Sequence, residues 1–458
     1  MNALERKNIL HITPHLGGGV GKVLLNYLKN TKANSSFSHK ILSLEYANKE
    51  ALLSVRKAGI SIVDRMSLHP AAILDAVAVA DVVLVHWWNH PLLYAFLVRE
   101  SLPACRLVFW SHISGFHPPY VFARQALAYP DLFVFTTPIS FQTSEVKYLD
   151  KLTRRKLRVI WATGGMGEAL GVRPKPHAGF NIGYIGTVDY AKMHPHFLKM
   201  CSEVNIPAAR FIICGGSDEK IIQRESRHYD SGGRFVFTGY VKDVGSYLAE
   251  FDVFGYPLAP YHYGTCEQAL CESMAAGVPP VVLANRAESY IVENWVTGII
   301  ARDEKSYPRA IEMLYRNPNL RKKLSRNAKK IAKQRFSMER MVDAWESVFR
   351  EVLDMPKTLK SWLGVFRGKH TTAAQVFCES LGDRASSFKK NLEAVGEKEK
   401  KQSLDAIRKI YETSSLWRAK TRGTPSHYYH FFPEDRLLKL WSQTAAISGD
   451  ANKGYLHV

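Results

Sequence analysis

The chain has 458 residues, 46% hydrophobic and 23% charged, with 62 Lys and Arg against 42 Asp and Glu for a formal charge of +20. That length exceeds one ordinary core and predicts two domains plus an appendage, while no apolar run reaches the ~18 residues of a membrane helix. The charge asks for an acidic partner, either anionic small molecules or an anionic membrane face, and the lack of helix-turn-helix, zinc-finger or aromatic RNA-binding motifs argues against nucleic acid.

In chain order, MNALERKNILHI lacks the apolar region and small-residue cleavage site of a signal peptide. Strand-like NILHIT, HKILSLE, ISIVD, DVVLVHW, RLVFWSH, DLFVFTT and LRVIWAT then follow, the first five separated by helical GKVLLNYLKN, EALLSVRKAG, HPAAILDAVAVA and PLLYAFLVRES. Short apolar strands alternating with such helices predict a parallel sheet covered on both faces. The Gly- and Pro-rich GGMGEALGVRPKPHAG reads as a hinge. A second alternation runs from FNIGYIG through ARFIICGG, FVFTGY, DVFGYPL and VPPVVLA to GIIA, followed by three helical stretches ending in SMERMVDAWESVFREVL.

From about Met355 the composition shifts, with 18 Lys and Arg against 10 Asp and Glu from Pro356 onward. Helices are expected at Leu359–Phe366, Ala373–Leu381 and Ser403–Tyr411, before the aromatic HYYHFFPEDRLLKLW. Basic charge interleaved with aromatics suits a membrane interface; a helical appendage packing its aromatics onto the core suits the pattern equally. The six cysteines, Cys105, Cys201, Cys214, Cys266, Cys271 and Cys378, show no CxxC spacing, so neither a zinc site nor a disulfide framework is expected and the protein reads as reduced and cytosolic.

The stretch from Tyr263 to Val282, YGTCEQALCESMAAGVPPVV, reads as a ligand-binding corner. Leu270, Met274 and Val278 keep roughly helical spacing, Gly277 ends the helix, and Val281 to Leu283 begin a strand. A helix starting at Thr265 would offer unpaired N–H groups and a positive dipole end to a phosphate. Glu267 and Glu272 lie along it, the second deeper and suited to a sugar or ribose hydroxyl; taken singly, each is also an ordinary helix carboxylate. Earlier, HITPHLGGGVGKVLLN reads as strand, glycine turn and helix, and Gly17, Gly18 and Gly19 let the backbone approach a diphosphate closely. It is not a Walker A loop, because Leu16 replaces the first glycine and Val23 the magnesium-holding Ser or Thr. Gly17, Gly19 and Gly21 also miss the G-x-G-x-x-G spacing.

The glycine loop, GYIGTVDYAKMHP, FIICGGSDE, FVFTGYVKDVGSYLAEFDVF and the Glu272 corner, in this order from about Asn8 to Leu353, resemble the family 4 glycosyltransferases of the GT-B fold. The resemblance covers roughly three quarters of the chain. It implies an α/β protein of two doubly wound Rossmann-like domains facing a cleft: residues 1–165 on the acceptor side, a hinge at 166–180, a nucleotide-sugar-binding domain at 181–354, and a basic, mainly helical extension at 355–458. The implied activity is a retaining hexosyltransferase, moving a sugar from a nucleotide-diphosphate sugar to a hydroxyl of a glycan or lipid-linked acceptor in cell-surface polysaccharide or glycolipid assembly. No metal and no cofactor beyond the donor co-substrate are expected, and the expected place is the cytoplasm, peripheral on the inner membrane face.

By residue, the resemblance matches Lys192 to the lysine of the donor motif and finds Thr187 where that motif carries arginine. Glu272 matches the second glutamate of a pair spaced by eight, assigned to a ribose hydroxyl, while Gly264 stands where the first should be. Glu267, one turn inside the helix, is the candidate replacement, and Gly264 and Thr265 offer backbone and hydroxyl contacts as the alternative. His112 matches the histidine beside the transferred sugar, His86 is expected to touch the acceptor, and Gly18 and Gly19 approach the diphosphate. Gly215, Gly216 and Tyr240 resemble the base pocket. The catalytic set is then His112, Lys192 and Glu267, and Lys192→Ala is expected to cut turnover far more than stability. A nucleotide-sugar epimerase or phosphorylase-like enzyme of the same fold, and a non-catalytic carbohydrate-assembly protein, remain alternatives.

Overall fold

The structure, a computed structural model, describes residues 6–31, 35–162, 166–216, 219–230 and 232–450. Gly164 and Gly165 of the expected hinge segment, and Ser217 and Asp218 of FIICGGSDE, lie outside the described residues. The chain folds into two compact units, Met1–Ile160 with Val342–Val458, and Trp161–Met341.

The first unit holds a seven-stranded parallel sheet in the spatial order Ser61–Val63, Phe37–Ser43, Lys7–Thr13, Val82–Trp87, Leu107–Ser111, Leu132–Phe135, Leu157–Val159. Val82–Trp87 and Leu107–Ser111 are buried along their whole length, which is why they read as continuous apolar runs rather than alternating ones. The winding reverses between Lys7–Thr13 and Val82–Trp87, so the loops leaving these two strands diverge at a topological switch point.

The second unit repeats the plan with six parallel strands, in the order Phe235–Gly239, Ala209–Cys214, Phe180–Ile185, Val253–Tyr256, Pro280–Leu283, Ile299–Ala301. Its switch point lies between Phe180–Ile185 and Val253–Tyr256. The helix Gln268–Ala276 ends at Gly277 in the left-handed conformation (φ 83°), whose N–H reaches the carbonyls of Met274 and Ser273.

The segment boundaries differ from those expected. Residues expected to begin a hinge instead form the helix Met166–Leu170, and Met166 and Ala169 join the second unit's core. The boundary expected at 354 falls at 341: the helix Met338–Leu353 carries Trp345 onto Trp110 (ring centroids 4.8 Å) and Phe349 onto Phe37 (5.2 Å) of the first unit. The described part of the expected extension, residues 355–450, is likewise not a separate appendage. Thr358–Lys360 pairs antiparallel with Leu102–Cys105, Lys360 Nζ contacts Asp131 Oδ1 at 2.6 Å, and the Asn89 amide donates to the Ser380 carbonyl at 2.9 Å.

The helix expected at Leu359–Phe366 is absent. From 359 to 367 the outward residues are Leu359, Ser361, Leu363, Val365 and Arg367, while Lys360, Trp362 and Gly364 are buried. Burial thus alternates with period two, the signature of extended chain. The helices at Ala373–Leu381 and, within Glu397–Thr413, at Ser403–Tyr411 are present. Phe377, Phe388, Tyr411, Trp417, Tyr428 and Trp441 form one buried cluster with neighbouring ring centroids 5.0–6.4 Å apart. Of the aromatic stretch HYYHFFPEDRLLKLW, Tyr428 and Trp441 are thus core, while Tyr429, Phe431 and Phe432 are half-buried.

Candidate active site

In the second unit, the strand Phe180–Ile185 runs into Gly186 and Thr187, and a tight turn follows. Asp189 accepts the Lys192 N–H on its side chain (2.9 Å) and the Met193 N–H on its carbonyl (2.7 Å). The Lys192 carbonyl accepts from Ala259 N (2.9 Å), which fixes this turn against the loop leaving Val253–Tyr256. Both loops therefore meet at the switch point, where such sheets bind ligands.

Lys192 is buried, and its Nζ sits 2.5 Å from Glu267 Oε2, which also accepts from Tyr256 Oη at 2.8 Å. The Lys192 ammonium lies 5.2 Å from the ring centroid of Tyr263. Burial works against the lysine's charge, but Glu267 with Tyr263 holds its pKa above the ordinary value; burial likewise works against the carboxylate, and Lys192 with His262 holds Glu267 below its own. The two are an ion pair.

Glu267 is not one turn inside a helix: it is the N-cap residue of Gln268–Ala276, and Thr265 precedes the helix. From there its side chain folds back over Gly264, where a Cβ would stand 1.5 Å from Glu267 Oε1 and 2.7 Å from Cδ. The carboxylate fills the volume that a side chain at 264 would enter. Glu272 is buried in the middle of the helix, as fully as Glu267.

Two groups that the sequence reading missed complete this corner. His262 Nδ1 accepts from Gly264 N (3.0 Å), and His262 Nε2 lies 3.0 Å from Glu288 Oε1, out of hydrogen-bond alignment. Glu288 is fully buried, and among the described residues neither its oxygens nor Glu267 Oε1 has a hydrogen-bond partner. His262, two residues before Gly264, lies in the loop already singled out; Glu288, one glutamate on a six-residue helix, carries no local signal. His262, Glu267 and Glu288 are close enough to hold an ion, as are His194, His196 and Glu304. In the first set, however, Lys192 already occupies Glu267 and a backbone N–H occupies His262 Nδ1; in the second, His194 Nδ1 accepts from His196 N (3.1 Å) and His196 Nδ1 meets Glu304 at 2.6 Å. An ion at either set would compete for the histidines, since a backbone N–H already occupies Nδ1 of His262 and of His194 and leaves the proton on the outer nitrogen.

Around the same sheet end, a Cβ at Gly215 (φ 146°) would stand 1.8 Å from the Gly186 carbonyl oxygen, so only glycine allows this loop crossing. Gly216 follows, and its carbonyl accepts from Val188 N at 3.4 Å. Thr187 Oγ1 lies 3.4 Å from Tyr263 Oη. Tyr240, expected in a base pocket, is 78% exposed after the strand Phe235–Gly239.

In the first unit, the glycine turn leads into the helix Gly18–Lys29, capped by Gly17 with no side-chain hydrogen bond. A Cβ at Gly18 or Gly19 would meet nothing within 4 Å, whereas at Gly21 it would press on the Leu16 backbone at 3.1 Å. Gly21 thus serves helix packing, and the open side lies at Gly18 and Gly19. His112 Nε2 is 3.1 Å from His86 Nδ1, and His86 Nε2 is 3.1 Å from His11 Nδ1. His86 is fully buried with both nitrogens engaged, so it has no atom to offer an acceptor. At the switch point itself, His15 stacks on Tyr46 (5.3 Å) and His90 approaches Glu45 (3.4 Å). The helix Pro425–Phe431 adds His427, 5.1 Å from the His90 ring and stacked on Trp88 at 6.1 Å.

Residues 171–331, nearly the whole second unit, match the family described as glycosyl transferases group 1. The second unit is a group 1 glycosyltransferase domain. A curated relative, the putative glycosyltransferase EpsD of Bacillus subtilis, is 27% identical over 159 residues, 34% of this chain and 41% of that protein. The chain thus spans well under half of that relative's length. Among solved structures, Anabaena HepE in complex with UDP aligns with a TM-score of 0.61 at 13% identity, over 75% of this chain and 100% of its own. Sucrose-phosphate synthase from Thermosynechococcus elongatus aligns at 0.57 and 14%, over 76% and 99%. These likenesses establish the GT-B type of fold, and the residues matched to the group 1 family lie in its second Rossmann-like unit.

Proposed function

We propose that this protein is a retaining, metal-independent glycosyltransferase that moves a sugar from a nucleotide-diphosphate sugar to a hydroxyl of a glycan or lipid-linked acceptor in cell-surface polysaccharide or glycolipid assembly. The observation that carries the proposal is the Lys192–Glu267 pair at the switch point of a group 1 domain. Lys192 stabilises charge on the leaving diphosphate, Glu267 takes up a sugar hydroxyl with Gly264 and Thr265, and Glu272 holds the ribose. Thr187, Gly215, Gly216 and the exposed ring of Tyr240 serve the nucleotide. In the first unit, Gly18 and Gly19 approach the diphosphate and His112 supports the sugar. The HepE structures, solved with UDP and with UDP-glucose, favour a uridine diphosphate donor for this chain.

Thermal-shift screening of UDP-, GDP- and ADP-sugars tests this, since a ligand at one hundred times its Kd stabilises the fold by about 2.7 kcal/mol. The expected outcome is a shift with one nucleotide class that Glu272→Ala abolishes; no shift with any class rejects the donor site. A second reading, a non-catalytic assembly protein, is favoured by Thr187 in place of an arginine and by an ammonium already neutralised by Glu267. Donor binding without transfer or hydrolysis would support it, and donor epimerisation without acceptor would support the epimerase alternative.

A peripheral membrane contact is also part of the proposal, through the extended segment after Met355. There Leu359 (78% exposed), Leu363 (56%) and Val365 (78%) point outward beside the exposed Lys357, Arg367 and Lys369. Apolar side chains ringed by cations suit an anionic headgroup layer. No described helix is long and apolar enough to cross a membrane.

A further inference from the structure

Four imidazoles cross the first unit's sheet in a row. His39 on Phe37–Ser43, His11 on Lys7–Thr13, His86 on Val82–Trp87 and His112 just past Leu107–Ser111 stand on four adjacent strands. His39 Nδ1 lies 2.9 Å from His11 Nε2, His11 Nδ1 3.1 Å from His86 Nε2, and His86 Nδ1 3.1 Å from His112 Nε2. Every link joins an Nδ1 to the next ring's Nε2, so the row has one direction.

All four rings are neutral at ordinary pH. Burial pushes His86 down to about 3 and His39 to about 4, and burial with the neighbouring imidazoles sends His11 and His112 well below their ordinary value. The other titratable groups beside the row are Tyr27, whose ring stands edge-to-face with His39 at 5.7 Å, Glu346 beyond it, and His15 near His112. A neutral imidazole carries one N–H and one lone pair. Fixing the hydrogen of any one ring therefore fixes all four, and only two arrangements satisfy the three bonds together. In one, each Nδ1–H donates toward His112, whose own Nδ1 carries a hydrogen; in the other, each Nε2–H donates toward His39.

The far end decides between them. His39 Nε2 is buried, and among the described residues it has no hydrogen-bond partner. An orphaned buried N–H is rarer than an orphaned acceptor, so this nitrogen is the bare one. It also gives a proton no exit, which makes the row a lock rather than a conduit.

We propose that His39, His11 and His86 are positioning residues that hold His112 as its Nδ1–H tautomer, presenting a neutral N–H donor. Such a group grips a hydroxyl oxygen and cannot take up a proton at that nitrogen, so His112 orients the sugar rather than acting as general base. The catalytic consequence, though not the lock, rests on the reading of His112 as the residue beside the transferred sugar.

Multiple-bond 15N NMR on the full-length protein labelled at histidine, assigned with single-histidine variants, reads each tautomer directly. The expected spectrum has His11, His39, His86 and His112 all as Nδ1–H; His112 as Nε2–H, or as a mixture, overturns the proposal without any variant. His39→Glu, once its carboxyl is ionised as read from its side-chain 13C shift, places an acceptor-only group at the far end and is expected to invert His112 to Nε2–H, while His39→Phe leaves it Nδ1–H. A folded His39→Glu protein with an ionised carboxylate whose His112 does not invert also overturns the lock, whereas inversion supports it, because a packing defect at 39 would not reverse a tautomer three rings away. If inversion occurs and sugar transfer is unchanged, the lock stands and the role of His112 at the sugar falls.

Discussion

Gly264 and Glu267 exchange roles. The carboxylate of Glu267 occupies the space directly above Gly264, and only a residue without Cβ permits it. Gly264→Ala should therefore expel the carboxylate from Lys192, leave a buried charge unpaired, and cost about 3–5 kcal/mol. The double variant Gly264→Glu with Glu267→Gly returns a carboxylate to the same region from the other position and should recover much of the lost stability and donor binding. Urea unfolding and donor thermal shifts of the single and double variants measure this; a double variant no better than Gly264→Ala alone would discard the exchange. The same pair changes what Lys192→Ala reports. The variant strips the partner from a buried carboxylate, so, against the sequence expectation, its loss of turnover comes mixed with unfolding. Lys192→Met combined with Glu267→Gln removes both charges and separates the two effects. None of this was legible in the chain: the spacing marked the missing glutamate, but the replacement depends on where a Cβ would fall.

At the level of elements, the central parallel strands were legible because both of their faces are buried, which makes a run such as VVLVHW continuously apolar between turn signals. The segment after Met355 was not. Leu359, Leu363 and Phe366 satisfy helical spacing as counted, yet burial follows the pleat of a strand pairing with Leu102–Cys105, a partner some 250 residues away in sequence that no local window contains. Two experiments distinguish its roles. Truncation at Met355 uncovers Tyr94 and Tyr129, against which Trp362 packs, at about 3–5 kcal/mol for that one large buried aromatic. It should yield insoluble protein rather than a clean test of membrane binding. Leu363→Asp with Val365→Asp leaves the buried side of the segment untouched and should abolish co-sedimentation with phosphatidylserine-containing vesicles at unchanged melting temperature. Equal co-sedimentation of this variant would remove the membrane contact from this segment.

For the whole molecule, the histidines make acid stability uneven. His11, His39, His86, His90, His112 and His427 all have pKa values depressed below 6.5, chiefly by burial, and all belong to the first unit. A depressed histidine stays neutral in the fold while the unfolded chain protonates. The stability it contributes is thus complete above pH 6.5 and falls as pH drops toward the folded value, by about 1.4 kcal/mol per pH unit for each group. For His86 this window runs from 6.5 down to about 3. The first unit should lose stability steeply between pH 6.5 and 5 and little between 7 and 9. Seven of the nine tryptophans lie in it, so tryptophan fluorescence in urea at stepped pH follows its unfolding; a midpoint independent of pH below 6.5 would show that these imidazoles are hydrated. The histidine row, like the Glu267 exchange, escaped the sequence because it depends on strand register: residues 11, 39, 86 and 112 share no spacing.

The first unit is assembled from two stretches separated by the whole of the second. On the ribosome, Trp161–Met341 is contiguous and can close its core as soon as it emerges. Residues 1–160 must wait for Trp345, Trp362 and the aromatic helices to be synthesised, roughly 15–60 s at ordinary elongation rates. Throughout that interval Trp110, Phe37 and the row of imidazoles lack their cover. Nascent chains should consequently recruit chaperones over this span, and an expressed 1–160 fragment should aggregate where a 161–341 fragment stays in solution; biosynthesis, more than the finished fold, is where this chain is most exposed to failure.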